Sequence, residues 1–250
     1  MSLFDDISDV LYERNYFDAD KAAMVAYAIV IAEIYDAAPS VDGGIKSSYR
    51  ATVKNIDKLH DSIEKKMGIE IIPSEDDPYG SDEEMIVDIK RNSRIKVYTG
   101  HSEHPYYSPE QNVKFRAVHD IFAHYIPHKR NVGKDDKVKF KGFDFSFPGE
   151  LDAYYMHKKY SPSACHPAYF CEIIGQVSYQ AVTGEFGEQK LIDFSPYAEM
   201  NKIGKLKGKA KQRFDEIAAA VKAGQDIQSP LKVSFEQVMN NKAFAGKGKF

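Results

Sequence analysis

Residues 22–38 read AAMVAYAIVIAEIYDAA, and this stretch decides the fold class because it predicts a long helix that is apolar on every side. Asp18 and Asp20 precede it and are good N-cap residues, so we expect the helix to begin near Asp18 and to end before Pro39. A helix that is apolar all round must be covered by other elements. The sequence therefore predicts a central, buried helix.

Helical periodicity also dominates the rest of the chain. We expect helices at about 45–67, 82–92, 112–126, 150–159 and 163–182, followed by shorter helical stretches after residue 201. The Pro/Gly/Asp-rich segment 69–85 is interpreted as a loop that leads into the helix at 82–92. The segment RIKVYTG (94–100) is interpreted as a brief strand, and VKFKGFDFSF (138–147) as a β-ribbon.

The predicted fold class is therefore mainly α, a single helical-bundle-like domain with a small β-ribbon or irregular insertion. We divide the chain into a helical domain at 1–200, which carries the candidate site at about 101–190, and a C-terminal helical extension at 201–250 with a Lys/Gly-rich tail.

The composition is that of a soluble globular protein. The chain has 250 residues, is 43% hydrophobic and 28% charged, and carries a formal net charge of −3. No run reaches the ~18 uninterrupted apolar residues that a bilayer span requires, so we expect that this chain is not a membrane protein. The acidic N-terminus does not resemble a signal peptide, and Cys165 and Cys171 would lie ~240° apart on a helix, which disfavours a disulfide. These features predict a cytoplasmic location.

The strongest local signal is the segment RAVHDIFAH, from Arg116 to His124. Asp120 and His124 lie one helical turn apart, so Asp120 can bind a metal with His124 or orient its ring. His119 and His124 diverge by ~140° on an ideal helix, so both can bind one ion only if the helix ends or distorts. Arg116 can pair with an anionic substrate or orient Asp120. The alternative is a surface network of Arg116, Asp120 and His124 without a metal.

A second pair, Glu150 and His157, lies about 20° apart on the next predicted helix. Gly149 precedes Glu150 and places the carboxylate in the first helical turn, where the helix dipole favours its ionised form. A Glu/His pair on one face suits metal binding or proton transfer. The alternative is a solvated glutamate with an exposed histidine.

A third pair, Glu172 and Gln176, shares a helix face with the small residues Ala168 and Gly175. Small residues allow another helix to approach, so these polar groups are expected to be buried and must then be paired or bind an ion. The alternative is an interhelical hydrogen-bond network with no chemical role.

Together the three pairs lie on three consecutive helices, which is how helical bundles build metal sites. We therefore predict a divalent metal ion of unspecified identity as the cofactor. The predicted metal ligands are His119, Asp120, His124, His157 and Gln176, and the predicted catalytic residues are Glu150, Glu172 and Arg116.

These residues resemble the pattern of an uncharacterised family of proteins encoded by bacteriophages and prophages. The resemblance covers about 80 residues, a third of the chain, and implies a phage origin and a shared polar site but no particular activity. Its matching elements are Phe115–Asp120 with His124, Gly149-Glu150, His157, Ser161–Ala164, Glu172 with Gln176, and Phe186–Lys190.

The dipeptide His119-Asp120 also looks like the signature of HD-type metal-dependent phosphohydrolases. That resemblance implies an upstream ligand histidine and a downstream ligand aspartate. The candidates are His60, His101 and His104 for the first, and Asp152 and Asp193 for the second; neither spacing is persuasive.

Two functions follow from these observations. One is a metal-dependent hydrolase, in which a carboxylate such as Glu150 or Glu172 acts as general base. The other is a phage structural or accessory protein, within the virion or in the host cytoplasm, in which the cluster is a structural polar or metal site. Lysine-rich stretches at 202–213 and 242–250 allow nucleic-acid contact but support it only weakly, because such runs of lysine are usually solvated helix faces.

Overall fold

The structure, a computed structural model, describes residues 21–131 and 143–245. Its fold is mainly α, as the sequence predicts. The α-helices in chain order are α1 (Lys21–Ala37), α2 (Lys46–Met67), α3 (Asp82–Asn92), α4 (Pro109–His119), α5 (Ile126–Asn131), α6 (Phe147–Tyr160), α7 (His166–Tyr169), α8 (Gln176–Thr183), α9 (Gly208–Lys222), α10 (Phe235–Asn240) and α11 (Lys242–Ala245). Two short 3-10 turns, Gly43–Ile45 and Ser163–Cys165, precede α2 and α7.

Helix α1 is the central helix that its composition predicts. An unbroken run of its residues from Val25 to Ala32 is buried, and it packs against α8 and α9. Its expected N-cap residues, Asp18 and Asp20, lie outside the described part of the chain. The helix ends before Pro39, as expected.

The sheet corrects one prediction. Residues interpreted as a loop contain β1 (Glu70–Ser74), which pairs in parallel with β2 (Arg94–Tyr98), and α3 connects the two strands. The sequence signal is weak because Pro73 interrupts the apolar run, and proline is tolerated here because β1 has a neighbour on one side only. The β-ribbon predicted at 138–147 lies largely outside the described residues, and Phe143–Ser146 form bends rather than a strand.

Two predicted helices contain a π-helical turn. Asp120–Tyr125 joins α4 to α5, and Phe170–Gly175 joins α7 to α8. In each, a backbone N–H reaches the carbonyl five residues earlier, from Ile126 to Ile121 and from Gln176 to Cys171. Both π turns pack against α6, so three helical segments enclose one polar interior.

The predicted C-terminal extension contacts the central helix. Helix α9 packs on α1, and the Arg213 guanidinium donates two hydrogen bonds, of 3.0 and 2.9 Å, to the Glu33 carboxylate. Cys165 and Cys171 are both buried and free, as their spacing predicts. Within the described residues, no helix is both long and apolar enough to span a bilayer.

Candidate metal centre

Three side chains from two helical segments converge in the interior. His119 ends α4, His124 lies in the first π turn, and Glu150 lies in the first turn of α6. The Nε2 atoms of the two histidines are 2.9 Å apart, and the Glu150 carboxylate lies 3.2 Å from His119 Nε2 and 3.3 Å from His124 Nε2. In the described part of the chain, these three residues form the group of His, Cys, Asp or Glu side chains that could hold a metal ion.

The π turn explains how two histidines that an α-helix would separate come together. The sequence predicts that they share an ion only if the helix distorts, and the structure shows that distortion. A π turn closes between residues i and i+5, so residues five apart lie on nearly the same face. The rings of His119 and His124 meet edge to face, with centroids 4.7 Å apart.

His124 is held in one orientation by the backbone. Its Nδ1 donates a 2.7 Å hydrogen bond to the Phe143 carbonyl, so its Nε2 carries the lone pair that a metal requires. Phe143 adopts a left-handed conformation with φ 59°, and its own N–H donates to the buried carboxylate of Asp152 at 3.3 Å. This strained residue is therefore fixed from both sides, which is typical of residues that position a site.

The first turn of α6 places Glu150. Ser146 caps the helix by accepting a hydrogen bond from the Gly149 N–H. Gly149 is required because a Cβ at this position would lie 2.0 Å from the Asp144 carbonyl oxygen. The Glu150 side chain is 3% exposed, and its Oε2 lies 3.2 Å from His119 Nε2 without forming a regular hydrogen bond to any described residue.

The electrostatics of the group favour a cation between these residues. Burial opposes the ionisation of Glu150, but the charges of His124 and His119 outweigh it and lower the Glu150 pKa to about 2. Burial also disfavours a charged His124, but the Glu150 carboxylate outweighs it and raises the His124 pKa to about 9. Without a metal, the Glu150 carboxylate therefore favours the protonated form of His124, and a metal ion would replace that proton.

His157, which the sequence predicts as a ligand, lies behind His119. Its Nε2 is 3.1 Å from His119 Nδ1, which lies on the edge of the His119 ring that points away from the three-residue group. Burial lowers the His157 pKa well below its ordinary value. Glu150 and His157 are 2% and 1% exposed, so the alternative of a solvated glutamate with an exposed histidine is wrong.

Asp120 and Arg116 lie outside the group of three. Asp120 is 7% exposed and His124 is fully buried, so the alternative of a surface network does not hold. The Arg116 guanidinium donates to the carbonyls of Tyr98, Gly100 and His101 at 2.7–2.9 Å, and thereby fixes the loop after β2. The Arg116 guanidinium therefore binds backbone carbonyls. The sequence predicts a different role, in which Arg116 pairs with an anionic substrate or orients Asp120.

Glu172 forms a different polar group, on the second π turn. Its Oε1 accepts a hydrogen bond from the Tyr49 hydroxyl and lies 3.0 Å from His104 Nε2. His104 Nδ1 accepts from the backbone N–H groups of Tyr106 and Tyr107, so its Nε2 carries the proton and donates to Glu172. This tautomer is the opposite of that of His124 and leaves no lone pair for a metal.

Gln176 does not join either group. Its Nε2 is buried without a partner among the described residues. The small-residue face predicted beside it is confirmed, because a Cβ on Gly175 would lie 2.8 Å from the Phe194 ring.

Sequence reasoning missed two supports of the site, Phe143 and the role of Asp152. Nothing in the sequence marks Phe143, since its conformation depends on contacts made after folding. Asp152 was considered as a ligand under the HD-type resemblance, and the structure places its carboxylate on the Phe143 N–H. The upstream candidates are also engaged elsewhere, with His60 beside Glu64 at 3.6 Å and His104 beside Glu172.

The comparisons with known proteins add no relative. No protein-family model, no curated protein and no solved structure matches the chain.

Proposed function

We propose that the protein is a metal-dependent hydrolase whose divalent ion is bound by His119, His124 and Glu150. The observation that carries this proposal is the convergence of two imidazole Nε2 atoms and one carboxylate on a single buried point, at separations of 2.9–3.3 Å. The phage origin implied by the family resemblance is part of the proposal and stays a prediction.

The donor set fits a first-row transition metal. Ligand atoms bound at 2.0–2.1 Å in a tetrahedral site lie about 3.3 Å apart, close to the observed separations. Two imidazoles and one carboxylate suit zinc, and the same set with open positions also suits iron. Hard cations such as calcium prefer sites built from oxygen alone, so they fit less well.

The number of ligands favours catalysis over a purely structural role. Structural zinc sites are usually closed by four protein ligands, whereas catalytic sites offer three and leave a position for water or substrate. His119 is the most exposed of the three side chains at 16%, so the open position would lie on its side of the group. A bound ion would act there as a Lewis acid and lower the pKa of a water molecule.

A structural ion is the second candidate, and one observation favours it. His124 has no exposed side-chain surface and Glu150 only 3%. Three cavities in the described part of the chain, of about 510, 530 and 740 Å³, are lined by other residues. An ion sealed in the interior would stabilise the fold without reaching a substrate.

Cobalt substitution separates these two candidates without knowledge of the substrate. Protein stripped with a chelator is titrated with Co²⁺, and its visible spectrum is recorded before and after addition of azide. Under the proposal one ion binds per chain, and azide changes the spectrum because it enters the open position. A spectrum that ignores azide would indicate a closed structural site. No binding, or equal binding by His124→Ala, would refute the metal site itself.

The matched control is His60→Gln, since His60 lies next to Glu64 on α2 and away from the group. This variant should bind Co²⁺ as the wild type does. Weaker binding by the control would show that the titration reports surface histidines.

A further inference from the structure

His157 lies at a buried position where a histidine side chain destabilises the fold. Its ring is 1% exposed and is stacked against Tyr169 and Phe115, with centroids 4.4 and 6.2 Å away. Its Nδ1 is buried and has no hydrogen-bond partner in the part of the chain that the structure describes. An unpaired buried nitrogen destabilises a fold, and a phenylalanine ring would fill the same stack without that penalty. Packing alone therefore does not explain this residue.

Among the described residues, the one polar contact of the His157 side chain is to His119, a ligand of the proposed ion. Its Nε2 lies 3.1 Å from His119 Nδ1, and the two rings are nearly parallel, at 9° and 5.3 Å between centroids. His119 presents its other nitrogen, Nε2, to His124 and Glu150. The hydrogen bond thus acts on the side of His119 that faces away from the proposed ion.

We infer that His157 is a positioning residue that holds His119 in the tautomer and orientation required to bind the metal. A lone pair on His119 Nε2 places the proton on Nδ1, and that proton needs an acceptor. His157 Nε2 provides it, with its own proton on the unpaired Nδ1. The Phe143 carbonyl serves His124 in the same way. Such outer partners commonly change metal affinity by 10–100-fold.

This inference rests on the proposed metal site and makes an unusual pair of expectations. His157→Phe keeps the aromatic stack but removes both nitrogens. Without metal, its urea midpoint should therefore equal or exceed that of the wild type, while its affinity for Zn²⁺ should fall about 10–100-fold. A residue kept only for packing would leave the zinc affinity of His157→Phe unchanged, so the affinity is the measurement that decides between the two roles.

His157→Gln is the rescue variant, because its side-chain oxygen can still accept a hydrogen bond. It should recover most of the affinity lost in His157→Phe, and it keeps the inference testable if that variant fails to fold. Zinc affinity is measured by competition with a chromophoric chelator, with His60→Gln as the control. Long-range ¹H–¹⁵N NMR of the zinc-bound wild type should show His119 protonated at Nδ1.

The outcomes separate this inference from the proposed function. If the wild type binds no zinc, the metal site itself fails. If the wild type binds zinc and His157→Phe binds it equally well, the positioning role fails alone. The role is also overturned if His157→Gln binds no better than His157→Phe, or if His119 Nδ1 carries no proton in the zinc form.

Discussion

Replacing Glu172 by Gln tests whether this carboxylate belongs to the metal centre or to a separate support of the fold. The sequence predicts a catalytic residue, whereas the structure gives it hydrogen bonds from Tyr49 and His104. Hydrogen bonds to a charged group are worth ~1.5–3 kcal/mol and neutral ones ~0.5–1.5 kcal/mol. Exchanging the carboxylate for an amide weakens both, so we expect the free energy of unfolding to fall by about 2 kcal/mol.

In a chain of this length, that loss corresponds to a decrease of about 4–8 °C in Tm. Urea unfolding and calorimetry measure the stability, and chelator competition measures the zinc affinity, which should stay within about threefold because Glu172 is not one of the three ligands. Glu185→Gln is the control, since Glu185 is exposed and its replacement should change stability by less than ~0.5 kcal/mol. Unchanged stability with a tenfold loss of zinc affinity or turnover would refute this reasoning and return Glu172 to the centre.

Three further predictions follow from single contacts. Gly149→Ala should lower the free energy of unfolding by about 1–3 kcal/mol and weaken zinc binding, because the new Cβ would lie 2.0 Å from the Asp144 backbone carbonyl; wild-type zinc affinity would contradict this. Burial and the neighbouring Glu83 raise the Asp82 pKa to about 7, so wild-type stability should fall as pH rises from ~4 to ~7. Asp82→Asn removes this loss. Between pH 4 and pH 8, the free energy of unfolding of chelator-treated Asp82→Asn should therefore rise by about 1–2 kcal/mol relative to the wild type, after discounting for solvent screening. A difference between the two proteins that does not change with pH would exclude the raised Asp82 pKa. Arg116→Lys cannot reach three carbonyls at once, so amide exchange in the loop after β2 should accelerate while zinc affinity stays within about threefold.

The helical part of the fold follows closely from local sequence. The central helix and the end of α2 at Met67 are readable from apolar patterning, and the start of α3 at Asp82 follows Ser81, whose side chain accepts a hydrogen bond from the Glu84 N–H. Strand β1 is not readable, because Glu70–Ser74 becomes a strand only by pairing with Arg94–Tyr98. Pairing across α3 is a tertiary contact, and a five-residue segment with two isoleucines followed by a proline carries little signal of its own.

His119, His124 and Glu150, which the structure brings together, are all among the residues predicted from the sequence, although the sequence predicts Glu150 as a catalytic residue rather than as a ligand. Their roles are less predictable than their positions. His157 shares a helix face with Glu150, and Glu172 shares one with small residues. Spacing alone cannot distinguish a residue that binds the ion from one that hydrogen-bonds to the second ring nitrogen of a histidine ligand. That difference depends on whether a ring nitrogen faces a carbonyl or an N–H. The Phe143 carbonyl accepts from His124 Nδ1, whereas the Tyr107 N–H donates to His104 Nδ1.

The π turn shows most clearly why the site exceeds what periodicity can predict. On an α-helix, His119 and His124 would point ~140° apart, and no ion could bind both. One extra residue in the turn from Asp120 to Tyr125 brings their Nε2 atoms to 2.9 Å and places both beside the buried carboxylate of Glu150. A π turn costs regular hydrogen bonding and is therefore rare outside functional positions. A helical wheel assumes the same rotation of ~100° at every residue. It therefore cannot show the local distortion that brings the two histidines together. In this chain, the five-residue spacing of His119 and His124 therefore permits a shared ion, because the helix between them contains a π turn.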